Sequence, residues 1–308
     1  MVAANNVLVL GSEQWRIGVL PEVGASLAFG QIADDDGWVD LLRPTPIEAR
    51  AQSMDCSSYV LAPWSNRVRD GLLRFEGRTW QLRKNEAQIN AIHGTAMEFS
   101  WRVASYDSSR CVLEFDSASV VGANFPWTFL ATVEYSVNGG VFQVATTLLN
   151  TSSEAFPAGF GHHPYFQRTL AGASDEVRVQ IPVSAAFKLH NCLPDGPPVA
   201  LEPRLDFREM RPLGTQFIDD NLTSRDAGAP IRLLYPRSRR EIHLKADPLF
   251  SSVILYVPQE GKSFFAIEPV TNANDGFSLY ERGVPGSGIF VLEPGESRTG
   301  TFTLEVTA

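Results

Sequence analysis

Helical periodicity is the first thing this chain of 308 residues lacks. No window keeps apolar residues at a 3.6-residue period over the about 10–12 residues of an ordinary α-helix, which argues against the helical fold classes. Cysteine is scarce: Cys56, Cys111 and Cys192 are far apart and odd in number. They supply no CxxC pair or disulfide framework, so three reduced, partly buried thiols in a cytoplasmic protein are expected. Long apolar runs are missing too, none approaching the ~18 residues of a membrane span. The N-terminus has no basic region followed by an apolar run and a small-residue cleavage site, so no secretory leader is read there. Positive charge is in deficit, with 26 Lys and Arg against 35 Asp and Glu. That argues against nucleic acid or an anionic membrane as a partner, though not against a small anion at a local arginine. Phosphate-binding glycine loops, nucleotide fingerprints, the G-x-S-x-G elbow and the H-x-H and HExxH spacings are also absent. No cofactor and no metal are expected.

What the chain does have is a period of two. Hydrophobic residues make up 44% and charged residues 20%, enough for a sizeable core. From Phe129 to Val137 the odd positions read Phe, Ala, Val, Tyr, Val, between polar Thr132, Glu134 and Ser136, as in a half-buried strand. Asn138-Gly139 then leads into Val141–Leu148, a hairpin with favoured turn chemistry. Glu76-Gly77 separates Leu72–Phe75 from 79–82 in the same way. Val177, Val179, Ile181 and Val183 alternate with polar residues, as do Phe302, Leu304 and Val306. Val253–Val257 is apolar throughout, as suits a strand covered on both faces. A short helix at 46–54, a single turn at 207–210 and a long proline-rich loop at 191–213 complete the expectation. The fold class predicted is all-β: one domain over 1–308, built as a large antiparallel β-sandwich.

The stretch Gly159-Phe160-Gly161-His162-His163-Pro164-Tyr165-Phe166 holds two of the five histidines. Its glycines let other groups approach the backbone, and its aromatic residues offer a pocket wall. Histidine suits proton transfer near neutrality, so His163 is a candidate beside the plainer role of a strand-end cap. Adjacent strand residues point to opposite faces, so His162 and His163 are not expected to share an ion. Glu268 ends an apolar run and precedes Pro269, and a carboxylate there either pairs with a cation or serves a polar pocket. Asn272, Asn274 and Asp275 make the next loop polar, as a ligand-facing loop would be. His93-Gly94, Asn66-Arg67 with the flat face of Trp64, and Asp219 (alone an ordinary turn residue) add donors and acceptors. Hydroxyl partners, apolar faces and titratable groups on one β-sandwich suit a carbohydrate-like ligand.

In order along the chain, these segments resemble the aldose 1-epimerase (galactose mutarotase) family. Pro63 to Gly71 with Phe75-Glu76-Gly77-Arg78 and Leu82 is similar to one family block, and Asn90–Gly94 to its histidine-glycine motif. Gly161–Phe166 resembles its His-Pro-Tyr-Phe motif. Leu193-Pro194-Asp195-Gly196 with Asp206-Phe207-Arg208 and Ile218-Asp219 resembles the middle block. Ile267-Glu268-Pro269 and Leu292–Glu296 resemble the C-terminal ones. The resemblance implies a β-supersandwich and cofactor-free exchange of the α and β anomers of a free aldose. By motif it implies His163, protonated, as general acid and Glu268, ionised, as general base, with His93, Arg67, Asn66 and Asp219 holding the sugar hydroxyls. Thr95 stands where many members carry a second glycine, a substitution that would narrow or reshape the pocket beside His93. Three other readings stand beside this one: a non-catalytic carbohydrate-binding protein, a two-carboxylate glycosidase using Glu268 and Asp219, and an epimerase of a phosphorylated or sulfonated sugar using Arg16, Arg67 or Arg69. The partner expected is a small sugar, and monomer and homodimer are both compatible with the sequence.

Overall fold

The computed structural model describes residues 6–35, 37–170, 175–259 and 261–307. Period-two patterning becomes antiparallel sheet, as expected. The largest sheet has nine strands, in spatial order Arg102–Tyr106, Arg110–Asp116, Phe129–Asn138, Val141–Asn150, Ser297–Thr307, Arg240–Ala246, Ile231–Tyr235, Arg178–Gln180 and Arg211–Pro212. A second, of eight strands, runs Val199–Ala200, Val183–Ala186, Ile218–Arg225, Ser252–Val257, Phe264–Val270, Gly161–His162 and Val60–Leu61, with Tyr165–Gln167 also paired to Phe264–Val270. Leu8–Gly11, Trp15–Leu20, Ser26–Asp34 and Gly37–Asp40 form a four-stranded meander.

The two large sheets meet over one apolar cluster. Phe129, Ala131, Val133, Tyr135 and Val137 enter it from one side, and Leu222, Val253, Leu255, Phe265 and Ile267 from the other. Each valine, leucine, isoleucine or phenylalanine among them, fully buried, contributes ~1.5–3 kcal/mol. The opposite face of the eight-stranded sheet is covered as well: Ile254, Ala266 and Tyr165 pack there with Tyr59, Leu61 and Met97. That second layer explains why Val253–Val257 is apolar on both faces. The candidate residues lie on this side of the sheet.

Both expected hairpins form. Asn138 pairs with Val141, so the turn residues are Gly139-Gly140, one position beyond the Asn-Gly expected. Glu76 and Gly77 turn between Phe75 and Arg78 with φ of 50° and 73°, the mirror-image turn that matches strand twist. Three local expectations fail. In 46–54 only the 3-10 turns Ile47–Ala49 and Ser53–Asp55 appear, because Ile47 is exposed and no apolar stripe holds a helix down. The turn expected at 207–210 falls at Pro203–Leu205 instead, where proline presets the first helical φ. The run 177–183 is two strands in different sheets, Arg178–Gln180 and Val183–Ala186, since Pro182 has no N–H for a ladder. The 191–213 loop contains short strand pieces such as Leu193–Pro194 and Val199–Ala200. The helix Gly276–Glu281 has six residues, too few for a period to be read. No helix among the described residues is long and apolar enough to cross a membrane. All three cysteines are free thiols, as expected.

One close approach is unforgiving. Gly94 has φ of 75°, and a Cβ built on it would lie 2.0 Å from the Ala62 carbonyl oxygen. That carbonyl accepts the N–H of Thr95 and of Ala96, so it cannot retreat without losing both bonds. Gly94→Ala is expected to lower stability by roughly 3 kcal/mol or more, read as a reduced urea midpoint. A midpoint equal to wild type would show that this contact is dispensable.

Candidate active site

Register brings the carboxyl and the imidazole together. Gly161 faces Val270 and Tyr165 faces Ala266 across the same pair of segments, so His163 falls opposite Glu268. No bridge joins 162–164 to 267–269; Pro164 and Pro269 have no N–H to give there. His163 instead donates its backbone N–H to the Tyr59 carbonyl at 3.0 Å. Its ring stacks on Tyr59 at 4.7 Å between centroids and tilts against Tyr165 at 4.4 Å. His163 Nε2 then lies 3.0 Å from Glu268 Oε1, with both side chains almost wholly buried. His163 Nδ1 and Glu268 Oε2 are buried without a hydrogen-bond partner.

The neighbouring strands add the next groups. Asp219 faces Tyr256, and Tyr256 faces Ala266, so Asp219, Tyr256 and Tyr165 form a row beside the one containing Glu268. Arg67 and Ile92 pair in a separate two-stranded ladder, flanked by two left-handed residues, Asn66 at φ 56° and His93 at φ 63°. These two lock reciprocally: the His93 N–H donates to the Asn66 carbonyl at 3.0 Å, and the Asn66 N–H to His93 Nδ1 at 3.2 Å. With Nδ1 accepting, His93 carries its proton on Nε2. Asn66 Oδ1 accepts from the Arg67 N–H at 2.8 Å. A cavity of about 360 Å3 joins them, lined by Asn66, Arg67, His93, His163, Asp219 and Glu268 together with Tyr59, Tyr165, Tyr256, Glu86, Met54, Ile92 and Phe217. All six residues to which the resemblance gives catalytic or binding roles therefore face one space. Its volume is within the ~300–1,000 Å3 of small-molecule sites.

A model of the aldose 1-epimerase family matches residues 18–305. The chain belongs to the aldose 1-epimerase family. It is 26% identical over 280 residues to the uncharacterized Escherichia coli (strain K12) protein YphB, covering 87% of this chain and 90% of that one. Among solved structures, a galactose mutarotase-like protein from Clostridium acetobutylicum superposes with a TM-score of 0.84 at 22% identity, over 97% of this chain and 94% of that one. A galactose 1-epimerase from Lactobacillus acidophilus NCFM gives 0.78 at 16% identity, over 96% and 92%. At such identities the superpositions show the fold alone, a galactose mutarotase-like β-sandwich.

Within this aldose 1-epimerase family member, several expectations about the site need correction. Trp64 offers no face to a ligand: it is fully buried against Phe125 and Phe277. Asn272, Asn274 and Asp275 are buried rather than ligand-facing. Asn272 bonds Ser65, Asn274 donates to the Cys192 carbonyl, and Asp275 accepts from the Arg69 backbone at 3.0 Å and from its Nε at 3.1 Å. They anchor the segment that presents Asn66 and Arg67. Thr95 is fully buried, with its hydroxyl accepting the Asn124 N–H, so it does not narrow the cavity. Arg69 is engaged by Asp275, and Arg16 stacks on Trp38 in the N-terminal meander, which leaves Arg67 as the arginine lining the space. His162 turns away from His163, its Nε2 paired with Thr146 Oγ1 at 2.7 Å inside the core.

Protonation differs from expectation as well. Burial drives Glu268 well above the usual carboxyl range, with Asp219 adding to the rise, and drives His163 below the usual imidazole range. Both shifts disfavour the charged forms, so burial opposes the carboxylate–imidazolium arrangement that the resemblance implies. His93 is also held neutral, by burial first and then by His163 and Arg67.

Sequence reading gave no site role to Glu86, Tyr59, Tyr256, Phe217, Met54 or Cys192, since no motif marks them: Tyr256 reads only as part of the apolar run Val253–Val257, and Cys192 only as a free thiol. Glu86 bonds Arg67 Nε at 2.6 Å. Cys192, its thiol pushed up to about 11 mainly by burial, stays protonated 3.4 Å from Asp219 Oδ2.

His162 gives the cleanest pH readout, because the lowered His163 and the raised Glu268 act on stability in opposite directions as pH falls. Burial lowers His162 from 6.5 to about 3. Between those values the unfolded chain binds a proton that the folded one refuses, so stability falls as pH falls, by about 1.4 kcal/mol per pH unit from this residue. His162→Gln is expected to flatten the fall of the thermal midpoint between pH 6.5 and 5. An unchanged slope would place the acid sensitivity elsewhere.

Proposed function

We propose that this protein interconverts the α and β anomers of a free aldose without a cofactor, using His163 and Glu268 as one proton-transfer pair. The observation that carries this reading is the 3.0 Å approach of His163 Nε2 to Glu268 Oε1 on the wall of a pyranose-sized, aromatic-lined cavity. Family membership supports the carbohydrate-epimerase class.

Ring opening removes the proton from the anomeric hydroxyl, breaks the bond between C1 and the ring oxygen, and places a proton on that oxygen. The aldehyde rotates about the C1–C2 bond, and reclosure on its other face gives the other anomer. Two groups flanking C1 are required, one holding a proton and one free to accept it. A buried pair sharing one proton meets that need in either direction. The resemblance gives His163 the acid role and Glu268 the base role, and reclosure reverses them. Positioned proton transfer contributes ~10²–10⁴ in rate. His93 Nε2–H, Arg67, Asn66 and Asp219 hold the remaining hydroxyls and keep C1 at the pair. Tyr59 and Tyr165 fix the imidazole plane by packing.

Glu268→Gln and His163→Asn are each expected to slow enzyme-dependent anomer exchange of glucose or galactose at least 100-fold. Exchange NMR or polarimetry on freshly dissolved sugar reads this, with circular dichroism confirming the fold. Wild-type rates from either variant would end the assignment.

A further inference from the structure

The charge of the cavity wall goes beyond what the reaction requires. Among the lining residues Arg67 is the sole guanidinium or ammonium group, and three carboxyl groups share the space with it: Glu86, Asp219 and Glu268. Arg67 already faces an acceptor from each of its nitrogens, hydrogen-bonded at two of them. Nε donates to Glu86 Oε1 at 2.6 Å, Nη1 to Asn66 Oδ1 at 3.3 Å, and Nη2 lies 3.8 Å from Asp219 Oδ2. Glu86 is held firmly in that role. Its Oε2 accepts from Asn90 Nδ2 at 2.9 Å, and its carbonyl accepts the Ile89 N–H at 2.8 Å across a turn whose central residues, Ala87 and Gln88, both have positive φ. Asn90 Oδ1 in turn accepts the Asp70 N–H at 3.2 Å. The carboxylate is therefore built into the wall before any ligand arrives.

Proton transfer at C1 makes no use of Glu86. Its effect is on what Arg67 can recognise. A guanidinium binds phosphate, sulfonate or carboxylate well when its fork is free. Here an anionic substituent approaching Arg67 meets Glu86 and Asp219 on the same fork, inside a partly desolvated cavity where like charges repel strongly. A neutral hydroxyl suffers no such repulsion and can accept from Arg67 while donating to either carboxylate.

We infer that Glu86 is a specificity-determining residue, a fixed counter-charge that occupies Arg67 and restricts the site to uncharged aldoses. This rests on the mutarotase reading of the cavity. The test compares glucose and galactose with glucose 6-phosphate and galacturonate, by exchange NMR for kcat and KM and by titration calorimetry for affinity. Wild type is expected to favour the neutral sugars at least tenfold, mainly through KM, with the preference shrinking as salt is raised. Glu86→Gln, which keeps a hydrogen-bond acceptor but not the charge, is expected to erode that preference at least tenfold, whereas Glu86→Asp, which keeps the charge, retains most of it. Equal handling of charged and neutral sugars by wild type would overturn the inference, as would a Glu86→Gln variant that loses both classes alike. Calorimetry reads the same discrimination where no exchange is accelerated, so failure of the mutarotase reading and failure of this one give different results.

Discussion

A carboxyl and an imidazole are buried together on the wall of a cavity, each within reach of the other. That constraint organises the structure: Glu268 and His163 sit on adjacent segments of a sheet covered on both faces, 3.0 Å apart, with an unpartnered atom on each. Burying either group alone would cost several kcal/mol. Burying them together lets one proton satisfy both. In the proposed reaction, a sugar whose anomeric centre enters the site supplies hydroxyl and ring-oxygen partners to these groups.

The surrounding polar residues divide into those that face the cavity and those that hold them there. Asn272, Asn274 and Asp275 spend their hydrogen bonds on Ser65, Cys192 and Arg69. In doing so they set the position of Arg67 and of the turn that carries Cys192 beside Asp219. The reciprocal backbone and side-chain bonds of Asn66 and His93 hold two left-handed residues in place and fix the His93 tautomer. Backbone strain of this kind persists only where surrounding contacts over-determine it. The position of the cavity-facing groups therefore rests on buried polar residues that do not themselves line the cavity.

Much of this was legible in the residues. Strict alternation from Phe129 to Val137 and the unbroken apolar run Val253–Val257 announced one-sided and two-sided strands, because burial has the period of the backbone. The opposite orientations of His162 and His163 followed from the same geometry. Loops were harder. A polar stretch such as 272–275 looks ligand-facing when it is in fact an internal anchor, since sequence does not say whether an amide bonds to solute or to protein. Trp64 misled for the same reason. Glu86 was invisible: its role comes from a turn that brings it to Arg67, and nothing in local pattern encodes that meeting. The direction in which burial drives the pair was equally hidden, because it arises from desolvation by residues distant in the chain.

The most direct test of the central claim is a double-mutant cycle on the rate of anomer exchange, with Glu268→Gln, His163→Asn and the combined variant. If the two side chains act as one proton-transfer unit, the double variant exchanges about as slowly as either single variant, a coupling that independent sites do not show. Losses that multiply, with the double variant slower by the product of the two single effects, would mean that the carboxyl and the imidazole act separately and would contradict the account.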